Sequence, residues 1–484
     1  MKRIIPLVIT FFALHFQALT AQTSNYLHDC WVKQAGGVGK AYLQLTYTEK
    51  LNQLEHSFEP WQQTAYTGRG TVWTSADEFV KTDTLLRGKQ VYFSKTQLSK
   101  TNLLFLDYGD KSLFAITEDA FLDQTFLTAR YSPIRLISWF EERHVPEAAG
   151  SSAQLAVYSA KINKTRVTLY VRKADDLLEK VTTLSDDELF GDVMTTYTYQ
   201  SYKSTEGIHY PGVVTIQKIN GHVTDEVLMT GASKAVAAPV LLDLPLGYKF
   251  STEATVPQVV TTQYSDHIHF VELKHTDDKV LVVEFAEFLA VEGAPLNSAN
   301  GELIINEARK IAPAKPIKYF MFGHYHPHYL GGVRAFVHEG AIVLCTPADT
   351  GYVSYLAQAP HTLNPDSLQL QPHSLWIEEV KGEKTISDGH YQMKVYVIGQ
   401  KSAHTKDYMI YYFPEEKLVY EDDLVWIPRV GEIPAAGDRQ RGLYQAIEEL
   451  GLEVTTIVQS WPVTEMGVKT LIPFSELQQS VEKK

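Results

Sequence analysis

The sequence predicts two units in series: an antiparallel β-rich half, then an α/β layered half. Three observations predict this. Between about residues 25 and 245, short runs of β-branched and aromatic residues recur at hairpin spacing. Prolines then cluster across residues 236–260, the density of a connector. Beyond them, buried strand patterns alternate with an amphipathic helix, the signature of a layered α/β arrangement. A chain of 484 residues also exceeds one compact core, so more than one domain is expected.

Taken in order, the chain opens with Lys2 and Arg3, continues through a mostly apolar stretch over 4–19 and closes on small residues ending at Ala21. That reads as a cleavable signal peptide over 1–21. Pro6, His15 and Gln17 break the stretch below the roughly 20 apolar residues of a spanning helix, although an uncleaved anchor is the alternative reading. The expected location is periplasmic or secreted, and the chain is not expected to be an integral membrane protein. Residues 22–245 form the β-rich N-terminal domain, with strands predicted at 89–93, 165–171 and 194–199, turns at Tyr108-Gly109-Asp110 and Asn220-Gly221-His222, and a helix over 134–143. The cadence of residues 196–213, strand, polar turn, then Gly207-Ile208-His209-Tyr210-Pro211, resembles the half-barrel sheets of lipoprotein carriers. Such a sheet either holds an apolar ligand or packs on its neighbour. Residues 246–261 are the predicted linker and 262–484 the second domain, with strands at 280–285 and 317–322 flanking a helix at 298–311.

Composition narrows the function classes. The chain carries 44 Lys plus Arg against 57 Asp plus Glu, a net charge of −13. A sequence-independent grip on phosphate backbones needs clustered cations, so nucleic acid is not an expected partner. Cys30 and Cys345 either pair in an oxidising compartment or stand as two buried thiols; one bridge is no framework for a chain of this length.

The most informative segment is Gly323-His324-Tyr325-His326-Pro327-His328-Tyr329-Leu330-Gly331-Gly332, three histidines at alternate positions just after an apolar strand. Imidazole suits zinc, and three such ligands with an open position make a catalytic rather than a structural site. If the segment is extended, alternation sends His324, His326 and His328 to one side.

This segment resembles the metal motif of the metallo-β-lactamase superfamily, in which a strand ends in His-x-His-x-Asp-His. Residues 280–295 resemble the strand pair before the motif, with Glu292 where the family usually has Asp. Residues 399–414 resemble the stretch carrying the third histidine ligand, which implies that role for His404. Residues 418–424 resemble the segment whose carboxylate bridges two metals, which implies Asp423. The likeness spans about residues 262–475 and implies an αββα metallo-β-lactamase sandwich. His328 stands at the family's Asp, Tyr329 at the following His, Asp422 at a Gly, and Trp461 where a last metal-binding histidine belongs. The departures fall mostly on one metal. The resemblance thus implies one zinc on His324, His326 and His404, with Asp423 as a further ligand and the second site degenerate.

Three neutral imidazoles leave Zn²⁺ its full charge, the arrangement that activates water near neutral pH. Asp423 and His328 are then expected to assist that water, and Tyr329 either donates to a developing oxyanion or fills volume beside Trp461. The implied reaction is hydrolysis of an ester, amide or phosphodiester; the rival reading is an inactive scaffold. Arg439 and Arg441 read as caps of the amphipathic segment 443–450. His267, His269, His338 and His390 read as satisfied or surface groups. Residues 358–372, with His361, read as a loop over the pocket.

Overall fold

A computed structural model describes residues 25–54, 57–98, 103–107, 112–116, 126–239, 249–250 and 256–483. The predicted leader over 1–21, the turn at residues 108–110 and much of the predicted linker lie outside them. Among the described residues, no helix is long and apolar enough to cross a membrane.

Among the described residues, a thirteen-stranded sheet organises the first half. Its neighbours pair antiparallel from Leu155–Ile162 at one edge through to Ser112–Ile116, and the short Lys249–Phe250 joins the other edge in parallel. Period-two burial explains the face that turns inward. Strand Thr165–Arg172 buries Thr165, Val167, Leu169 and Val171 in alternation, and Val223–Ala235 begins with the same rhythm. Helices Tyr26–Trp31 and Ile134–Glu142 lie on that face, where Leu27, Cys30, Leu136, Ile137 and Phe140 join Leu43, Leu45 and Val167 in one core.

The second half is built from two further sheets. In the seven-stranded sheet, Val259–Gln263, Ile268–Leu273, Asp278–Glu284 and Leu289–Glu292 form an antiparallel meander. Ile317–Met321, Ile342–Cys345 and Trp376–Glu379 then continue it in parallel. Residues 259–261, assigned above to the linker, are therefore sheet. The six-stranded sheet runs from Glu383–Ser387 to Leu471–Pro473, with one parallel pair between Leu418–Glu421 and Thr456–Gln459. Phe270, Leu281, Val283 and Met321 of one sheet pack on Met393, Val395, Tyr411 and Tyr420 of the other. Helices Ser298–Ile311, Val333–His338 and Thr350–Gln358 cover the outer face of the first sheet, and Asp438–Glu449 with Phe474–Glu482 the outer face of the second. The layers therefore run helix, sheet, sheet, helix.

The open choice for the cysteines resolves to two buried thiols. The cysteines do not pair: Cys30 lies in the core of the first half and Cys345 in a core of the second, and burial pushes both thiols up to about 12. Residues 358–372 lie against the first half of the chain. The Thr362 and Leu363 amides donate to the buried Asp192 carboxylate, fastening the segment to the first half, and Ser367–Leu370 is helical.

Candidate metal centre

Three loops at the ends of strands meet at one point. The first follows Ile317–Met321 and carries His324 and His326; the second precedes Met409–Phe413 and carries His404; the third follows Leu418–Glu421 and carries Asp422 and Asp423. Short contacts tie the loops together. The Met409 amide donates to the Gly323 carbonyl at 2.7 Å, and the Tyr325 amide to Asp407 at 2.8 Å. Gly323 has to be glycine, because a Cβ there would lie 2.3 Å from an Asp422 carboxylate oxygen. Its amide donates to the Glu292 carboxyl at 3.2 Å. In the second loop, Ala403 takes a left-handed φ of 50°, and the His404 and Thr405 amides donate to the Ser402 hydroxyl oxygen.

The result is a buried tris-histidine group. One ring nitrogen of each of His324, His326 and His404 lies within 4.8 Å of the others. Small ring rotations would close that spacing around an ion with Zn–N bonds of about 2.0–2.1 Å. The outer nitrogens are already engaged. His324 Nδ1 lies 2.7 Å from Asp422 Oδ2, and His326 Nε2 lies 3.2 Å from the Ser57 carbonyl oxygen. With protons on those outer nitrogens, His324 Nε2 and His326 Nδ1 face each other at 2.9 Å, each presenting a lone pair. In that tautomer the two lone pairs converge with the buried His404 ring on one point, an arrangement that a cation would satisfy. The donor set therefore fits a metal ion. Zinc bound there would supply a Lewis acid and a means of activating water. An Asp422→Ala variant should weaken zinc binding about 10- to 100-fold by releasing the His324 ring. Competition with a chromophoric chelator measures it, and an unchanged affinity refutes the role of Asp422.

The acids beside the histidines divide by environment. Burial raises the Asp423 carboxyl, but His404, whose Nε2 is 3.3 Å away, and Arg439, at 2.9 Å, outweigh burial and hold it below the ordinary value. Asp423 thus stays a carboxylate facing the triad. Arg439, read above as a helix cap, instead grips the Asp423 side chain. Glu292, Glu421 and Asp422 are fully buried; burial pushes the first two up to about 8 and Asp422 well above its ordinary value, with Glu292 beside Asp422. Tyr408, which the sequence reading missed, organises this turn. The Asp422 and Asp423 amides both donate to its hydroxyl oxygen, and its ring stacks 4.9 Å from that of His324.

His328 and Tyr329 depart from the extended-segment reading. Residues Pro327–Leu330 form a helical turn, so alternation ends at His326 and the His328 ring points elsewhere. Its Nδ1 lies 3.0 Å from the buried Asp278 carboxylate. Burial lowers its proton affinity, but Asp278 outweighs that and holds it above the ordinary value. Tyr329 is buried with its ring 4.5 Å from that of His324. Burial, reinforced by Asp423 and Asp422, keeps its phenol protonated. Trp461 packs 5.5 Å from the His328 ring and 5.9 Å from the Trp426 ring.

No family model and no curated protein matches the chain. Solved structures do. A metallo-β-lactamase from Pontibacter korlensis aligns at 16% identity over 47% of this chain and 100% of its own, with a TM-score of 0.35. A metallo-β-lactamase from Pseudomonas aeruginosa in its mono-zinc form aligns at 17% identity over 46% of this chain and 93% of its own, with a TM-score of 0.34. A flavoprotein from Thermotoga maritima aligns at 12% identity over 47% of this chain and 62% of its own, with a TM-score of 0.33.

Proposed function

We propose that this chain is an exported, zinc-dependent hydrolase with a metallo-β-lactamase sandwich over about residues 262–484, preceded by a half-barrel-like sheet domain over 22–245 and a leader over 1–21. Its substrate is a small molecule with an ester, amide or phosphodiester bond, and its place is the periplasm or the medium. One observation carries the reading: the buried convergence of His324, His326 and His404, with outer nitrogens of the first two engaged and inner ones turned toward each other. In this reading those three histidines hold one zinc. Asp423, kept ionised by His404 and Arg439, completes the ligand set or accepts the proton of the attacking water. Tyr329 donates to the developing oxyanion, and His328, held by Asp278, carries protons at the rim.

A second reading is favoured by one specific feature. Trp461, Trp426 and the His328 ring pack together where a second metal would need open ligands, the arrangement of a fold that has kept its shape and lost its chemistry. Metal analysis of the purified protein, followed by an ester, amide and phosphodiester screen, separates the two. Zinc near one per chain with turnover supports the hydrolase. Zinc with no turnover supports a metal-stabilised scaffold, and a metal-free protein whose stability ignores chelators refutes the zinc site outright.

A further inference from the structure

The hairpin joining strands Tyr42–Gln53 and Thr64–Thr74 belongs to the thirteen-stranded sheet, yet its tip lies against both histidine-bearing loops of the second half. The Ser57 carbonyl accepts from the Tyr325 hydroxyl at 2.7 Å and from His326 Nε2 at 3.2 Å. One residue on, the Phe58 carbonyl accepts from the Lys406 amide at 2.8 Å, two positions after His404, and Glu59 pairs with the Lys406 ammonium at 3.0 Å. Trp61, at a left-handed φ of 65°, anchors the tip. It stacks on His222 at 4.0 Å and meets Tyr352 and Tyr355 of helix Thr350–Gln358 edge-on at 5.1 and 5.0 Å.

A carbonyl oxygen only accepts. The Ser57 contact therefore requires the proton of a neutral His326 to sit on Nε2, which leaves Nδ1 as the lone pair turned toward His324 Nε2. Outer partners of this kind fix the tautomer and orientation of a ligating histidine and are worth about 10- to 100-fold in metal affinity. His324 takes its partner, Asp422, from its own half; His326 takes its partner from the other half of the chain.

We infer that the 57–63 hairpin tip is a working wall of the metal centre: through the Ser57 carbonyl, the N-terminal sheet sets the tautomer of His326 and hence the zinc affinity of the second half. This rests on the zinc reading above. The tip covers the His326 and His404 side of the site. Ser57, Phe58 and Trp61 are positioning residues.

Because the Ser57 contact is made by the main chain, the test acts on what holds the tip in place. In the full-length protein, Trp61→Ala removes the anchor, Trp61→Phe retains an aromatic face, and Gln62→Ala removes the side-chain oxygen that accepts from the Phe58 and Glu59 amides at an exposed position, where folding is least at risk. Zinc dissociation constants are measured by chelator competition, and the His326 tautomer by ¹⁵N imidazole shifts in metal-free protein. Trp61→Ala should raise the constant about 10- to 100-fold and mix the tautomers, Gln62→Ala should act in the same direction to a smaller extent, and Trp61→Phe should restore wild-type behaviour. A merely structural anchor would lower the melting temperature of the metal-free protein and leave both readouts alone. Unchanged zinc affinity and tautomer in Trp61→Ala and Gln62→Ala overturn this inference and leave the hydrolase standing. A wild-type chain that takes up no zinc overturns both.

Discussion

Replacing His404 with alanine is expected to reduce bound zinc from about one per chain to near zero and to cut turnover by at least about a thousandfold. The reasoning is geometric. His324 and His326 come from one loop and face each other at 2.9 Å, whereas His404 is the imidazole that the second loop contributes. Without it, two imidazoles and the Asp423 carboxylate would have to hold the ion, and Asp423 is already committed to Arg439 at 2.9 Å. Loss of an effect worth several kcal/mol in the transition state is about three powers of ten in rate. Elemental analysis and initial rates measure the two quantities, with circular dichroism as the check that the variant folds. In the metal-free protein His404 Nε2 lies 3.3 Å from Asp423, so truncation also takes a partner from that buried carboxylate. The metal-free variant should therefore be less stable than metal-free wild type, by about 1–3 kcal/mol. Full zinc occupancy in the variant would place the metal elsewhere.

How far the sequence reached can be read from particular residues. The helix predicted over 298–311 forms as Ser298–Ile311, and the strand predicted over 165–171 as Thr165–Arg172, because both carry their burial period openly. The three histidines were legible through their spacing and through the resemblance of the second loop. His328 was misjudged because Pro327 starts a helical turn there, and a period of two cannot be carried across a change of backbone. Arg439 was misjudged because a basic residue in the first turn of an amphipathic segment looks like solvent-facing charge until the fold brings Asp423 to it. Ser57 left no trace in the sequence. It acts through its carbonyl, which every residue has, and it meets His326 across 269 positions.

The largest stability effect is expected away from the metal. Arg334 is only 3% exposed, and its guanidinium is spent entirely inside the fold. Nη1 donates to the carbonyls of Leu356, Ala357 and Ala359, closing the end of helix Thr350–Gln358, while Nε and Nη2 reach the two Asp366 oxygens at 2.6 and 2.9 Å. Asp366 also accepts from the Gln369 amide and the Ser298 hydroxyl. An Asp366→Ala variant leaves a buried cation without its counter-charge and should cost about 3–5 kcal/mol in urea unfolding, whereas a double replacement by apolar residues should cost much less. The pH dependence carries a sign. Burial alone would raise the Asp366 carboxyl, but Arg334 and the Gln369 amide hold it at about 2, below the unfolded value of about 3.9. The unfolded chain therefore binds the proton first as pH falls. The contribution of Asp366 is complete above about pH 4 and is lost as pH drops through about 2. In urea midpoints recorded down this range, wild type should fall more steeply than Asp366→Ala, and parallel acid limbs for the two proteins would show that the pair contributes nothing.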